Sequence, residues 1–111
     1  MSCLFCKIVA GEIPATVVAK NGHAIAFDDI NPQAPTHVLI IPTSHHENVS
    51  ELAEADPQSL QALFSLATEI AAQRGLNGFR TVFNTGTEAG QSVFHAHLHL
   101  LGGRAMNWPP G

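Results

Sequence analysis

The stretch His95-Ala96-His97-Leu98-His99-Leu100 constrains this chain more than any other. Imidazoles alternate with small or apolar side chains, and alternation with a period of two marks a β-strand whose faces differ. The pattern predicts three histidines on one face, with Ala96, Leu98 and Leu100 turned toward a core. Three imidazoles in register make a costly face unless chemistry uses them, because their unperturbed pKa lies near neutrality. Nucleophile, general acid–base and metal-ligand roles are all open to them. Neighbours on one strand face stand ~6.6 Å apart, from a rise of ~3.3 Å per residue. With Zn–N bonds of ~2.0–2.1 Å, the three do not easily share one ion. The spacing therefore predicts different jobs for the three histidines.

The 111 residues read as one domain, 1–111, with 104–111 as a C-terminal tail. No apolar run approaches the ~20 residues of a membrane span, and Met-Ser-Cys-Leu-Phe-Cys lacks the basic and long apolar regions of a signal peptide. A cytoplasmic location without a membrane partner is expected. The net charge of −4, with five Lys+Arg and no basic run, argues against nucleic acid as a partner. An anionic ligand must then be held by local donors: imidazoles, hydroxyls and backbone N–H groups.

Cys3–Ala10 reads as a short helix stopped at Gly11 and Pro14, which sets Cys3 and Cys6 one turn apart. A reducing compartment disfavours a structural disulfide, and a redox dithiol needs a thioredoxin-like βαβ context that is missing here. A zinc half-site needs two further ligands, and His45 or His46 is a candidate third. Thr16–Lys20 and His23–Phe27 flank Asn21-Gly22, a hairpin signal because both turn positions tolerate φ > 0. Asp28–Pro35 is a loop in which Asp28 and Asp29 are either solvated or acceptors for a ligand's hydroxyls. Thr36–Ile41 is a third strand, apolar on both faces and therefore central, closed by Pro42. A short helix follows through Val49–Ala53.

Asp56-Pro57 starts a helix that runs to about Arg74 and stops at Gly75. Leu60, Leu63, Phe64, Ala67, Ile70 and Ala71 form its apolar stripe. Ala62 and Leu66 lie off that stripe, which suggests burial on a second side, such as a subunit interface. Phe79–Asn84 is a fourth strand. Thr85–Gln91 is a glycine-bearing loop leading into the histidines, where Gly90 allows close approach of backbone to a ligand. With Gln91 and Ser92 as side-chain donors, loop and imidazoles read as a phosphate- or carbonyl-binding site. The strand ends at Gly102-Gly103, and the tail carries the only Trp, Trp108.

The histidine alternation fits the HxHxHxx signature of the histidine triad family. Asp29–His37, Gly90–Val93, Leu101–Arg104 and Trp108–Gly111 match as well, so the chain resembles the family over essentially its full length. Gly102-Gly103-Arg104 and the terminal Trp-Pro-Pro-Gly make it similar to the bacterial Hint-like purine nucleoside phosphoramidases, more than to Fhit-like dinucleoside polyphosphate hydrolases. The resemblance implies an α+β fold: an antiparallel sheet of about five strands with one long and one or two short helices, in a homodimer. It implies hydrolysis of the P–N bond of purine nucleoside 5′-phosphoramidates, releasing AMP or GMP. Carried over by position, His97 is the nucleophile, His99 contacts the phosphate, Ser92 lies near the leaving nitrogen and His37 supports the cluster. Asp29 holds the ribose hydroxyls, and Phe5, Ile8, Phe27, Ile30 and Leu39 surround base and ribose. Asn84, Gly90, Gln91 and Val93 lie near the phosphate, and Trp108 is a tail residue that reaches the partner subunit's site.

Many bacterial relatives also carry a structural zinc, and the resemblance implies Cys3, Cys6, His45 and His95 as its ligands here. Chemistry agrees with the nucleophile: imidazole attacks only when neutral, and at pH 7 an ordinary histidine mostly is. Two other readings stand beside the phosphoramidase, a dinucleoside polyphosphate hydrolase and a nucleotide-binding regulatory module with little turnover. A module built only to bind metal is a further alternative.

Overall fold

The computed structural model describes residues 3–111. Five strands, β1 (Val17–Lys20), β2 (Ala24–Asp28), β3 (Thr36–Pro42), β4 (Phe79–Val82) and β5 (Leu98–Gly102), form one antiparallel sheet in the order β1-β2-β3-β5-β4. Three helices accompany it: α1 (Leu4–Val9), α2 (Val49–Ala55) and the long α3 (Pro57–Gln73), with a single 3₁₀ turn at Thr87–Ala89. The fold is α+β, as expected. Among the described residues, no helix is long and apolar enough to cross a membrane.

Every residue of β3 is buried, as its unbroken apolar run requires of a strand covered on both faces. One face of the sheet packs Val38, Ile40, Leu98 and Leu100 against Leu63, Leu66 and Ile70 of α3. The other face packs Phe27, Leu39 and Ile41 against Cys3 and Phe5 at the start of α1. Helix ends follow their capping residues. Asp56 accepts from the Ser59 N–H and hydroxyl at 3.2 and 2.6 Å, Pro57 opens α3, and Gly75 leaves it at φ +64, a conformation that costs glycine little.

Three expectations need correction. The Asn21-Gly22 hairpin forms, but Gly22 is not in the left-handed region. The Asn21 side chain caps the turn instead, accepting from the His23 and Ala24 N–H groups at 2.9 Å each. On α3, Ala62 and Leu66 are core residues, whereas Phe64 is 42% exposed. The buried face is turned by one position from the predicted stripe, and Phe64 meets Phe83 edge to face at 6.0 Å beside it.

The histidine strand is also shorter than its alternation suggests, since β5 begins only at Leu98. Leu98 stands opposite Ile40, so continuing that register sets Ala96 opposite Pro42, which has no N–H to give a ladder. The Ala96 N–H turns to the His46 carbonyl at 2.7 Å instead. The two-face alternation nevertheless persists upstream of the strand. Ala96, Leu98 and Leu100 belong to the α3-side core, while His95 and His97 lie against Phe5 on the opposite side, at ring separations of 5.9 and 5.1 Å.

Candidate active site and metal centre

The three imidazoles of the motif have three different environments, and main-chain groups decide two of them. A carbonyl can only accept a hydrogen bond and an amide N–H can only donate. His97 Nδ1 lies 2.8 Å from the His95 carbonyl, so Nδ1 carries the proton. Nε2 keeps the lone pair, and no described residue hydrogen-bonds to it. Burial pushes the His97 pKa below the ordinary imidazole value, against the pull of the His95 carbonyl and Asp29. His97 is thus a neutral imidazole with its lone pair on Nε2, the state a nitrogen nucleophile requires.

His99 is arranged the other way round. The Gln33 backbone N–H donates to His37 Nδ1 at 3.0 Å, which forces the His37 proton onto Nε2. That Nε2 sits 3.0 Å from His99 Nδ1 and 3.4 Å from an Asp29 carboxylate oxygen. His99 Nδ1 must therefore accept, and its own proton resides on Nε2. His99 Nε2 is buried with no partner among the described residues, a cost of ~1–3 kcal/mol unless a ligand satisfies it. Desolvation, reinforced by His97 and His37, lowers the His99 pKa to about 4. The rings of His97 and His99 are 5.0 Å apart, so a lone pair and an N–H donor stand side by side.

Asp29, His37 and His99 also have the residue types of a metal site. The Gln33 N–H argues against that use, because it occupies the only lone pair of a neutral His37 and leaves Nε2 protonated.

His95 faces a different group. Its Nε2 donates to the Pro42 carbonyl at 2.9 Å, which presents the Nδ1 lone pair to Cys3 Sγ at 3.4 Å and Cys6 Sγ at 3.5 Å. His45 Nδ1 stands 3.4 Å from Cys6 Sγ. The four donor atoms all lie within 4.8 Å of one another. A tetrahedral ion with Zn–S bonds of ~2.3 Å and Zn–N bonds of ~2.0–2.1 Å separates its donors by roughly 3.3–3.8 Å, so the S···N distances match a four-ligand metal site. The backbone-held His95 ring is the usual outer support of a ligating imidazole. His45, rather than His46, is the histidine that meets the thiols. Burial, with Cys3 adjacent, pushes the Cys6 thiol up, a cost that a bound cation reverses.

Beside the imidazoles opens a cavity of about 180 Å³. Phe5, Ile8, Phe27, Asp29, Ile30 and Leu39, all singled out by the sequence, line it together with residues the sequence did not mark, among them Leu4 and Ile13. Val93 packs on the same side as Phe5, Phe27 and Leu39. Gly90 adopts φ +97 at the end of the 3₁₀ turn, Asn84 is half-buried and Ser92 is exposed. Gln91 differs from a free donor: its amide accepts from the Gly86 N–H at 2.8 Å and donates to the Glu47 and Val93 carbonyls at 2.6 and 3.1 Å. Its side chain holds the loop. Trp108 is 81% exposed and does not line this cavity. It lies instead over Arg80, whose guanidinium carbon is 5.9 Å from the ring centre.

A family model described as the HIT domain matches residues 10–106. The chain belongs to the HIT family. This HIT protein is 51% identical to a HIT family hydrolase from Legionella pneumophila, whose crystal structure superposes with a TM-score of 0.94 over 99% of this chain and 100% of that one. It is 50% identical to a 14 kDa zinc-binding protein of Zea mays, across 97% of this chain and 87% of the maize protein. It is 46% identical to the Adenylylsulfatase HINT1 of Arabidopsis thaliana, across 97% of this chain and 76% of that protein.

Sequence reasoning missed the main-chain partners: the carbonyls of His95 and Pro42 and the N–H of Gln33. Only Pro42 carried a signal, as the residue closing β3.

Proposed function

We propose that this HIT protein is a hydrolase that cleaves the P–N bond of purine nucleoside 5′-phosphoramidates through a nucleotidyl-His97 intermediate. The observation that carries the reading is the opposite proton placement on His97 and His99. His97 Nε2 attacks phosphorus, a P–Nε2 bond forms, and the P–N bond to the leaving amine breaks. The exposed Ser92 hydroxyl serves proton transfer to that amine. Water then attacks phosphorus and returns a proton to Ser92, the P–Nε2 bond breaks, and AMP or GMP is released. His99 Nε2–H donates to a phosphoryl oxygen throughout, a kind of contact whose loss costs ~10²–10³ in kcat in oxyanion holes.

The apolar cavity is smaller than the ~300–1,000 Å³ of drug-sized sites, which suits one flat ring system. In this reading it takes the purine, Asp29 takes the ribose hydroxyls, and Asn84, Gly90, Gln91 and Val93 frame the phosphate. Cys3, Cys6, His45 and His95 would hold zinc, which when bound braces the segment carrying His97; four protein ligands close its coordination sphere to water. Reduced thiols accord with a cytoplasmic location. The edge strand β4, with Phe79 45% exposed, supports a homodimer built on that edge, where the tail bearing Trp108 reaches the partner subunit's site.

The Arabidopsis relative's name favours a second reading, in which the same nucleophile expels sulfate from adenylyl sulfate. Turnover of adenosine 5′-phosphoramidate, adenylyl sulfate and a diadenosine polyphosphate by wild type and His97→Ala separates the readings. The expected result is fastest turnover of the phosphoramidate and none by His97→Ala. Faster cleavage of adenylyl sulfate replaces the amine with sulfate, and tight AMP binding without turnover of any substrate points to a binding module.

A further inference from the structure

We propose that Arg104 is a positioning residue for this reaction, acting from outside the site through Gln33 and His37 on the proton of His99; the proposal rests on the phosphoramidase reading. Arg104 Nε and Nη2 both donate to the Gln33 carbonyl, at 3.3 and 3.0 Å, and Nη1 donates to the Ala105 carbonyl at 3.0 Å. The same Gln33 gives its N–H to His37 Nδ1. One residue is thus gripped by a guanidinium on its carbonyl side and by an imidazole on its amide side.

Nothing else of comparable reach holds Gln33 among the described residues. The start of the loop is tied to β3 by the Asp29 N–H, which donates to the His37 carbonyl at 3.0 Å. Between Ile30 and Pro35 the other hydrogen bonds close on the loop itself, Asn31 N–H to Asp29 at 2.8 Å and Gln33 Nε2 to the Asn31 carbonyl at 3.1 Å. Gly103 delivers Arg104 to this place. It sits at φ +91 so near Pro35 that an added Cβ would come within 2.9 Å of the proline Cβ. The turn after β5 and the loop before β3 are therefore fitted to each other.

The hydrogen bond at one ring nitrogen of a histidine decides which nitrogen carries the proton. With Gln33 released, only the Asp29 carboxylate at 3.4 Å still favours the proton on His37 Nε2, so in part of the molecules Nδ1 takes the proton and Nε2 accepts. His99 then donates from Nδ1, and its Nε2 turns from donor to acceptor. An acceptor facing a phosphoryl oxygen repels it. Arg104, exposed at the surface, thereby holds the buried His99 donor in its useful form.

The test compares wild type with Arg104→Ala and Arg104→Lys by nitrogen NMR of the histidine rings and by kinetics on adenosine 5′-phosphoramidate. Arg104→Ala should keep the wild-type melting temperature, convert His37 and His99 from single tautomers to mixtures, and lower kcat about tenfold with KM changed less than about twofold, a milder loss than removing an oxyanion donor outright. Arg104→Lys, with one compact donor in place of the fork, should recover part of both signals. Unchanged ring tautomers in Arg104→Ala, or kcat within about twofold of wild type while His97→Ala is inactive, overturns the proposal. If wild type leaves the phosphoramidate intact, the reaction reading has failed, and the NMR comparison still decides whether Arg104 governs the tautomers. Should Arg104→Ala not fold, Arg104→Lys is judged by the same two criteria.

Discussion

His97 donates from Nδ1 to the backbone carbonyl of His95 at 2.8 Å, while the His95 ring turns its own Nδ1 to the thiols of Cys3 and Cys6. The candidate nucleophile and the candidate metal centre therefore share one residue, through its main chain on one side and its imidazole on the other. Loosening the His95 ring loosens the acceptor that fixes the His97 tautomer.

Metal removal should accordingly act on both stability and chemistry. Purified protein is expected to carry about one zinc per chain, by elemental analysis. The Cys3→Ser/Cys6→Ser variant should carry none and should melt more than about 10 °C lower, because ligand binding to a structural site is folding free energy and one kcal/mol is worth about 4–8 °C in a chain of this size. Phosphoramidase activity should fall but persist, since zinc touches no reacting atom in the proposed path. Zinc content below half an equivalent in carefully prepared protein would count against the four-ligand site.

Acid should destabilise the fold through the same cluster. His99 titrates at about 4 in the folded chain and near ~6.5 when exposed, so the unfolded chain binds its proton first. Stability from this group is whole above ~6.5 and is lost as pH falls toward 4. His97, lowered by burial, acts in the same direction. Melting temperature should be flat near neutrality and fall with increasing steepness below about pH 6. His99→Gln should shallow that fall. An unchanged acid limb in His99→Gln means that another group controls it.

The alternation of His95, His97 and His99 with Ala96, Leu98 and Leu100 was enough to separate a reactive face from a core face, because side-chain direction follows the backbone period. It did not reveal where the ladder stops, which depends on Pro42 lying opposite Ala96, a long-range pairing. On α3 the predicted and observed faces share Leu63, Ala67, Ile70 and Ala71. Periodicity favoured Leu60 and Phe64; Leu60 does pack at the margin of the core, whereas packing on the sheet added Ala62 and Leu66 and left Phe64 to Phe83. The protonation pattern was illegible for a different reason: its controlling partners are peptide groups, which every residue carries and no residue type announces.

Leu66 and Phe64 give a paired test of that α3 face. Leu66 is 1% exposed within the main core, so Leu66→Ala should cost ~2–5 kcal/mol in urea unfolding, through lost burial and the cavity left behind. Phe64→Ala should cost clearly less in the monomer, because its ring lies partly in solvent. Equal costs in monomeric protein would restore the face predicted from periodicity.

The edge strand β4 supplies the last prediction. Among the described residues β4 pairs only with β5, and an open edge beside exposed Phe79 and Phe64, at 45% and 42%, is a template for pairing with another chain. In the proposed homodimer a second copy would satisfy both needs at once, its β4 extending the sheet and its phenylalanines covering the first copy's. Symmetry then makes every contact occur twice, so one charge introduced at the edge is felt at two places. Phe79→Lys should convert a dimer to a monomer in analytical ultracentrifugation without loss of the folded signal, because the side chain lies outside both core clusters. If Trp108 reaches across to the partner subunit's site, the same variant should raise KM for the phosphoramidate more than it lowers kcat. Dimeric Phe79→Lys of unchanged affinity would remove β4 as the interface.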